Sequence, residues 1–361
     1  MTVPTITVNE STEIINTKGT GAQIIAVIGD SGMTATPTVM HTFNSYEEAV
    51  TAIGPEAETN PLLAAIKDHF KEGNPTDEAS ELGVTKVYAI NVGSTPTPEN
   101  FTDAMTTLSN VKDIELEEYH GLSTVTILES IATHLDTLVS KGFPRLAIAT
   151  VATGAEEATI LLMTDDSEAN YIQHSRVYIH IDRSIQSVFT AKVACTPYYE
   201  NPAHGSYRTK DKNDINEVTN PSTYVDKGFV CDWPTGSPLS TSNQAEPVEA
   251  YSTAQAADTV PADAQMHVRR NADYQIRTIC QMIAKYLKTR NVPTARTVLE
   301  QEIRGHLTSE VKAEKLEAGS VDVIPNPTNI NGLVVNGSVR PPGTIDDIVF
   351  NIGVELSTGG A

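Results

Sequence analysis

The chain has 361 residues, 39% of them hydrophobic and 20% charged, with a formal net charge of −21. That length can bury one large core or two of ordinary size. No run approaches the roughly 18 apolar residues of a membrane-spanning helix, and the acidic balance argues against nucleic acid as a main partner. Cys195, Cys231 and Cys280 lie far apart without metal-ligand spacing, as expected of free thiols in a reducing compartment.

The opening "MTVPTITVNESTEI" lacks both the basic start and the apolar stretch of a secretory signal. Within it Val3, Ile6 and Val8 are set among Thr5, Thr7 and Asn9, a half-buried strand by period. "AQIIAVIGD" is a short apolar run ended by turn residues, hence a buried strand. "NSYEEAVTAIG" opens on an N-cap, Asn44 or Ser45, carries acids in its first turn and stops at Gly54. "NPLLAAIKDHFKEG" places Pro61 at a first helical position and Leu62, Leu63, Ile66 and Phe70 on one face. "VTKVYAINVG" reads as a second strand. "STVTILESIATHLDTLVSKG" is a helix with a stripe of Ile127, Ile131, Leu135 and Leu138, and "RLAIATVA" is a third buried strand. Strands alternating with helices of this length predict an α/β layer with largely parallel strands.

From Asn201 to Ala264 the chain turns polar and small, and is expected to form a long exposed loop or peripheral insertion. Two amphipathic helices follow, one with Ile276, Ile279, Ile283 and Leu287 at helical spacing, the other with Leu299, Ile303, Leu307 and Val311. His267 to Lys315 holds ten basic and five acidic residues, net +5, leaving −26 for the rest. This segment is either a solvated face or a docking face for something acidic. "IDDIVFNIGVELS" closes the chain, alternating Ile348, Phe350, Ile352, Val354 and Leu356 against Val349, Asn351, Gly353 and Glu355. A lone terminal strand leaves half its backbone groups unpaired. Each end must dock on its own sheet or complete one in a neighbouring subunit.

The enzyme readings are weak. Ser31 in "GDSG" could serve as the nucleophile of an α/β hydrolase, but Asp263 and His267 are four apart where such enzymes place them three apart. Glu302 and His306 one helical turn apart are ordinary helix-surface chemistry, and Met33 breaks a "GDSGG" context. No glycine spacing for a dinucleotide or P-loop is present. Carboxylates in "TDD", Thr164 to Asp166, lack a spaced third ligand, and His180 in "RVYIHID" reads as a strand residue. No catalytic, cofactor-binding or metal-binding residue is expected.

Ile24 to Gly54, "IIAVIGDSGMTATPTVMHTFNSYEEAVTAIG", resembles the opening of contractile tail sheath proteins of phages and phage-derived injection machines. The parts are a strand ending in Ile28-Gly29, a small-residue turn "DSGMTATP", the strand and helix "TVMHTFNSYEEAV", and Ile53-Gly54. "MHVRRNADYQIRTICQMIAKYLKTRNVPTARTVLEQEIRGHL" resembles the family's long helix pair, and "GSVDVIPNPTNIN" with "RPPGTIDDIVFNIGVEL" its closing strands. The match is loose over Ala155 to Ala264. The resemblance implies a mixed α/β subunit of two domains with extended terminal strand arms. Its parts would be an arm and hinge over 1–18, an α/β domain over 19–200, a polar connection over 201–264, a tube-facing helix pair over 265–343 and a second arm over 344–361. It implies six-membered rings stacked around a tail tube, with tube, baseplate and tail-terminator proteins as partners, in a virion tail or phage-like particle assembled in the host cytoplasm. Contraction would then serve genome ejection or injection without nucleotide, cofactor, nucleic-acid contact or membrane anchor. Another self-assembling tail part, a tube or baseplate protein, is the rival within that class. Hinges would lie at Gly19 and Gly21 and at Pro341, Pro342 and Gly343. Arg269, Arg270, Arg277 and Lys285 would face an acidic tube.

Overall fold

The computed structural model describes residues 24–30, 39–54, 60–72, 84–93, 96–120, 124–151, 157–181, 185–203, 207–208, 221–234, 244–256, 264–286, 291–326 and 333–343. Strand β1 (Ile24–Gly29) sends Ile25 and Val27 into one hydrophobic cluster and Ala26 and Ile28 into another. A strand apolar on both faces belongs in the middle of a sheet covered on both sides, and β1 sits there. Its neighbours are β3 (Lys86–Asn91) and β4 (Leu116–Tyr119), both parallel to it. The parallel run continues through β5 (Leu146–Thr150), β6 (Val177–His180) and β8 (Phe229–Pro234). Antiparallel strands close the edges: β2 (Met40–Phe43) on β3, and β9 (Gln244–Glu249) on β8, with β7 (Tyr207–Arg208) beyond.

One face is covered by α1 (Tyr46–Ile53), α2 (Pro61–Lys67) and α6 (Gln186–Cys195), which contribute Ala49, Leu63, Ile66 and Phe189 to a common core. The other carries α3 (Pro98–Leu108), α4 (Val125–Ser140), α5 (Glu157–Leu162) and α7 (Pro221–Asp226), with Phe101, Leu108, Ile131 and Leu135 innermost. Local chemistry sets the helix starts. Ser45 caps α1 by accepting from the Glu48 N–H, Asn60 caps α2 with Pro61 beside it, and Thr97 and Asn100 close a capping box on α3. The α2 pattern, expected to run to Gly73, changes at Asp68 to a π-helical turn (Asp68–Glu72) that brings His69 into the interior.

Two expectations are corrected. The stretch 201–264 is not a single exposed loop, because Phe229–Pro234 and Gln244–Glu249 extend the main sheet. Its few apolar residues are concentrated in "FVCDW", and its acid, Asp232, is buried against His180 at 2.8 Å. The turn before β8 depends on Gly228, at φ +78°, where a Cβ would lie 2.6 Å from the Ser252 carbonyl oxygen. The helix pair also does not begin a separate body at residue 265. Helix α8 (Met266–Lys285) buries its first half in the large domain, where Met266 joins the core of the first sheet face. Its second half, with Ile279 and Ile283, packs on α9 (Pro293–Lys312) and on an antiparallel ribbon of β10 (Ala318–Pro325) and β11 (Leu333–Arg340).

The sheet's central layer carries charge. Fully buried Glu117 meets Arg145 at 2.6 Å, His134 at 3.2 Å and the Tyr119 hydroxyl at 2.5 Å. Glu118, equally buried, meets His69 at 2.8 Å, accepts from the Ser187 hydroxyl at 2.6 Å and contacts His120. Burial pushes both carboxyls upward, but the attraction and hydrogen bonds of their partners more than offset it. His134 and Arg145 hold Glu117 at about 2, and His69 and His120 hold Glu118 well below the usual carboxylate range.

Gly228→Ala should destabilise the fold by about 2–4 kcal/mol, since it combines a left-handed residue with a backbone clash; chemical denaturation measures this. Carboxyls depressed on folding contribute stability above their unfolded pKa of about 4.3, and lose it as pH falls towards their folded values. Unfolding followed by circular dichroism should therefore accelerate between about pH 4 and pH 2. Glu118→Gln should flatten that acid limb.

Candidate assembly interface

The ribbon is the part of the fold least able to stand alone. Its eight cross-strand pairs run from Ala318–Arg340 to Pro325–Leu333. One face places Val321 and Val323 on Leu299, Ile303 and Leu307 of α9, with Leu316 completing a small core. Gly319 permits this approach, since a Cβ there would meet Leu307 at 3.1 Å. The remaining ribbon residues are largely exposed, and Ser320 and Ser338 join across the strands at 2.7 Å. Among the described residues no third strand pairs with the outer edge of either β10 or β11. On β10 the Val321 carbonyl accepts from Arg304 and the Val323 N–H donates to Glu300, both of α9; a sheet edge without a strand neighbour can template further strands.

The ribbon is held to the large domain through α8. Asp273 accepts from Arg176 Nε at 3.0 Å and Nη2 at 2.8 Å, and pairs with Arg269 at 3.2 Å. Arg270 donates to the Thr196 carbonyl at 2.8 Å, and Arg277 reaches the carbonyls of Pro144 and Ile114. Tyr198 stacks on Tyr274 at 3.7 Å and donates to Glu310 of α9 at 2.6 Å. Burial and that hydrogen bond push the Tyr198 phenol far above its ordinary value.

This arrangement relocates the basic residues expected to face a partner. Arg270 is 8% exposed, and Arg277 is half-buried with its guanidinium on backbone carbonyls. Arg269 is committed to Asp273 and mostly covered. Only Lys285 of the four projects outward, with 65% of its side chain exposed and Glu302 at 2.9 Å. The correction has a simple cause: α8 is amphipathic, and its arginines lie on the face turned to the large domain. Asp273, Arg176 and Tyr198, which make the joint, carried no motif; a basic cluster around one aspartate was the available signal.

Pro341, Pro342 and Gly343 leave β11 as an irregular segment at the surface. Gly19 and Gly21, and the strand residues Val3, Ile6, Val8, Ile348, Phe350, Ile352, Val354 and Leu356, lie outside the described residues. So do Ser31 and Asp263.

The described enzyme candidates do not assemble. His267 is buried at the start of α8, while Glu302 bonds Lys285 and Tyr286, and His306 bonds Gln275 instead. Asp165 forms a turn with Ser167 and pairs with Lys227. Ser187, His120 and Glu118 cluster, but the same Nε2 of His120 meets both the serine and the glutamate, so the ring cannot relay a proton between them. Among the described residues no group of His, Cys, Asp and Glu suits a metal ion, and no helix is long and apolar enough to cross a membrane. The three thiols are free, with burial pushing Cys195 up to about 11 and Cys231 to about 12.

Neither a scan of protein-family models nor a search of curated proteins finds a match. Solved structures do match over nearly the whole chain. The sheath complex of the PVC extracellular contractile injection system, in its contracted state, is 12% identical and superposes with a TM-score of 0.68, covering 99% of this chain and 98% of that one. The contracted helical sheath of the anti-feeding prophage gives the same score and identity, covering 98% and 100%. A sheath tail protein from Desulfitobacterium hafniense is 9% identical with a TM-score of 0.56, covering 93% and 100%. Across its large sheet, its helix pair and its ribbon, the chain has the fold of a contractile sheath subunit.

Proposed function

We propose that the chain is a structural sheath subunit that polymerises as stacked six-membered rings around an inner tube and contracts to drive that tube through a target envelope. The observation that carries this reading is the β10–β11 ribbon, which has no third strand on either edge among the described residues, in a chain whose two ends alternate like half-buried strands. Two such ends from neighbouring copies would convert the marginal ribbon into a four-stranded sheet. Main-chain bonds of that kind survive large rigid-body motion if a hinge absorbs the dihedral change, a role for Gly19 and Gly21 and for Pro341–Gly343. Tube, baseplate and terminator proteins would be the partners, in a virion tail or phage-like particle assembled in a host cytoplasm. No catalytic chemistry is assigned.

The tube-facing surface then centres on Lys285 and the outer side of α9, where Thr294, Val298, Gln301, Gly305 and Thr308 are exposed. Gly305 supports this. A Cβ there would meet nothing within 4 Å in its own chain, yet glycine inside a helix costs roughly 0.5–1 kcal/mol relative to alanine.

In negative-stain microscopy the full chain should form cylinders. Deleting Met1 to Asn16 or Asp346 to Ala361 should leave folded protein that no longer polymerises, and Ser31→Ala should assemble normally. Arm-deleted chains that still polymerise would refute the strand exchange, and a Ser31-dependent hydrolytic activity of a monomer would favour the α/β hydrolase. Gly305→Ala should raise the chain's own stability by roughly 0.5–1 kcal/mol while weakening co-assembly with the tube. Undiminished co-assembly would place the tube contact elsewhere.

A further inference from the structure

A cavity of about 20 Å³ lies in the joint between the large domain and α8. It is lined by Glu115, Arg145 and Tyr198 of the large domain and by Arg270, Asp273 and Arg277 of α8. That volume accommodates a guest of about the size of one water molecule.

Charge around it is unevenly matched. Arg145 is neutralised by Glu117, and Asp273 is shared between Arg176 and Arg269. Glu115 attracts both Arg270 and Arg277, with Asp273 and Asp113 adding to the field at Arg277, but the hydrogen bonds of these two arginines go to backbone carbonyls. Two buried N–H groups of the lining cations, Nη1 of Arg270 and Nε of Arg145, have no acceptor among the described residues. A buried cationic N–H without an acceptor costs more than a neutral one. A water molecule would supply an acceptor but no charge. Burial also depresses Arg270 to about 10 and lowers Arg277, consistent with incomplete compensation.

We propose that this arginine-lined cavity binds one monovalent anion of halide size, which ties α8 to the large domain. Phosphate or sulfate is too large for the space. Because the lining comes from both sides of the joint, the anion belongs to the docked arrangement and stabilises it in proportion to occupancy.

The test uses the full chain, with sodium bromide replacing sodium gluconate at constant ionic strength. The melting temperature should rise with bromide and then saturate. Glu115→Gln, which removes the competing carboxylate, should lower the half-saturating bromide concentration by about tenfold. Arg270→Gln should abolish the dependence. Should Arg270→Gln fail to fold, Glu115→Gln and anomalous diffraction from bromide-soaked crystals decide: a bromide peak between Arg270 and Arg145 supports the site. Equal melting temperatures in bromide and gluconate, for both the natural chain and Glu115→Gln, would overturn it, as would a bromide-free cavity holding water.

Discussion

The arrangement of the whole subunit depends on one carboxylate. Asp273 faces the large domain from the first half of α8, and two arginines converge on it from opposite sides, Arg176 from the start of β6 and Arg269 from its own helix. Desolvating such a group is expensive, so removing one partner of the pair leaves a charge that the interior cannot accommodate. The cost of separating α8 from the sheet is therefore high. Neighbouring contacts share the same logic: Arg277 and Arg270 spend their donors on carbonyls that the large domain's loops leave exposed at the joint.

The joint fixes where motion can occur. Helix α8 is uninterrupted across the boundary between the two bodies, and Gly142, at φ +81° on the large domain, packs so close to Cys280 that an added Cβ would meet its Sγ at 2.9 Å. The ribbon is thereby carried rigidly by the sheet. The buried Glu117 and Glu118 clusters add to that rigidity, since each fixes several elements around one carboxylate.

Much of the fold was legible from periodicity. β1, β3, β5 and α4 follow their apolar patterns, and Ile127, Ile131, Leu135 and Leu138 are all buried as their spacing implies. What was missed has physical causes. "LEEY" of β4 looks like surface because most partners of its two glutamates lie 17 to 69 positions away, a relation no local pattern encodes. The strands β8 and β9 lie in a polar stretch whose composition hides two short runs. The basic cluster of α8 was visible, but its direction was not: charge content reads alike whether arginines face solvent or backbone carbonyls. The resemblance of "IIAVIGDSG" and the helix pair identified the fold where composition alone stopped at an α/β layer.

The length of α8 has a consequence for how the chain becomes ordered. Its 20 residues extend about 30 Å, and Met266 at one end completes the core of the large sheet while Ile283 near the other joins the core beneath the ribbon. The two cores are thus not independent cooperative units. The sheet's first face stays incomplete until synthesis has passed residue 266, and heating should melt both cores in a single transition rather than in sequence.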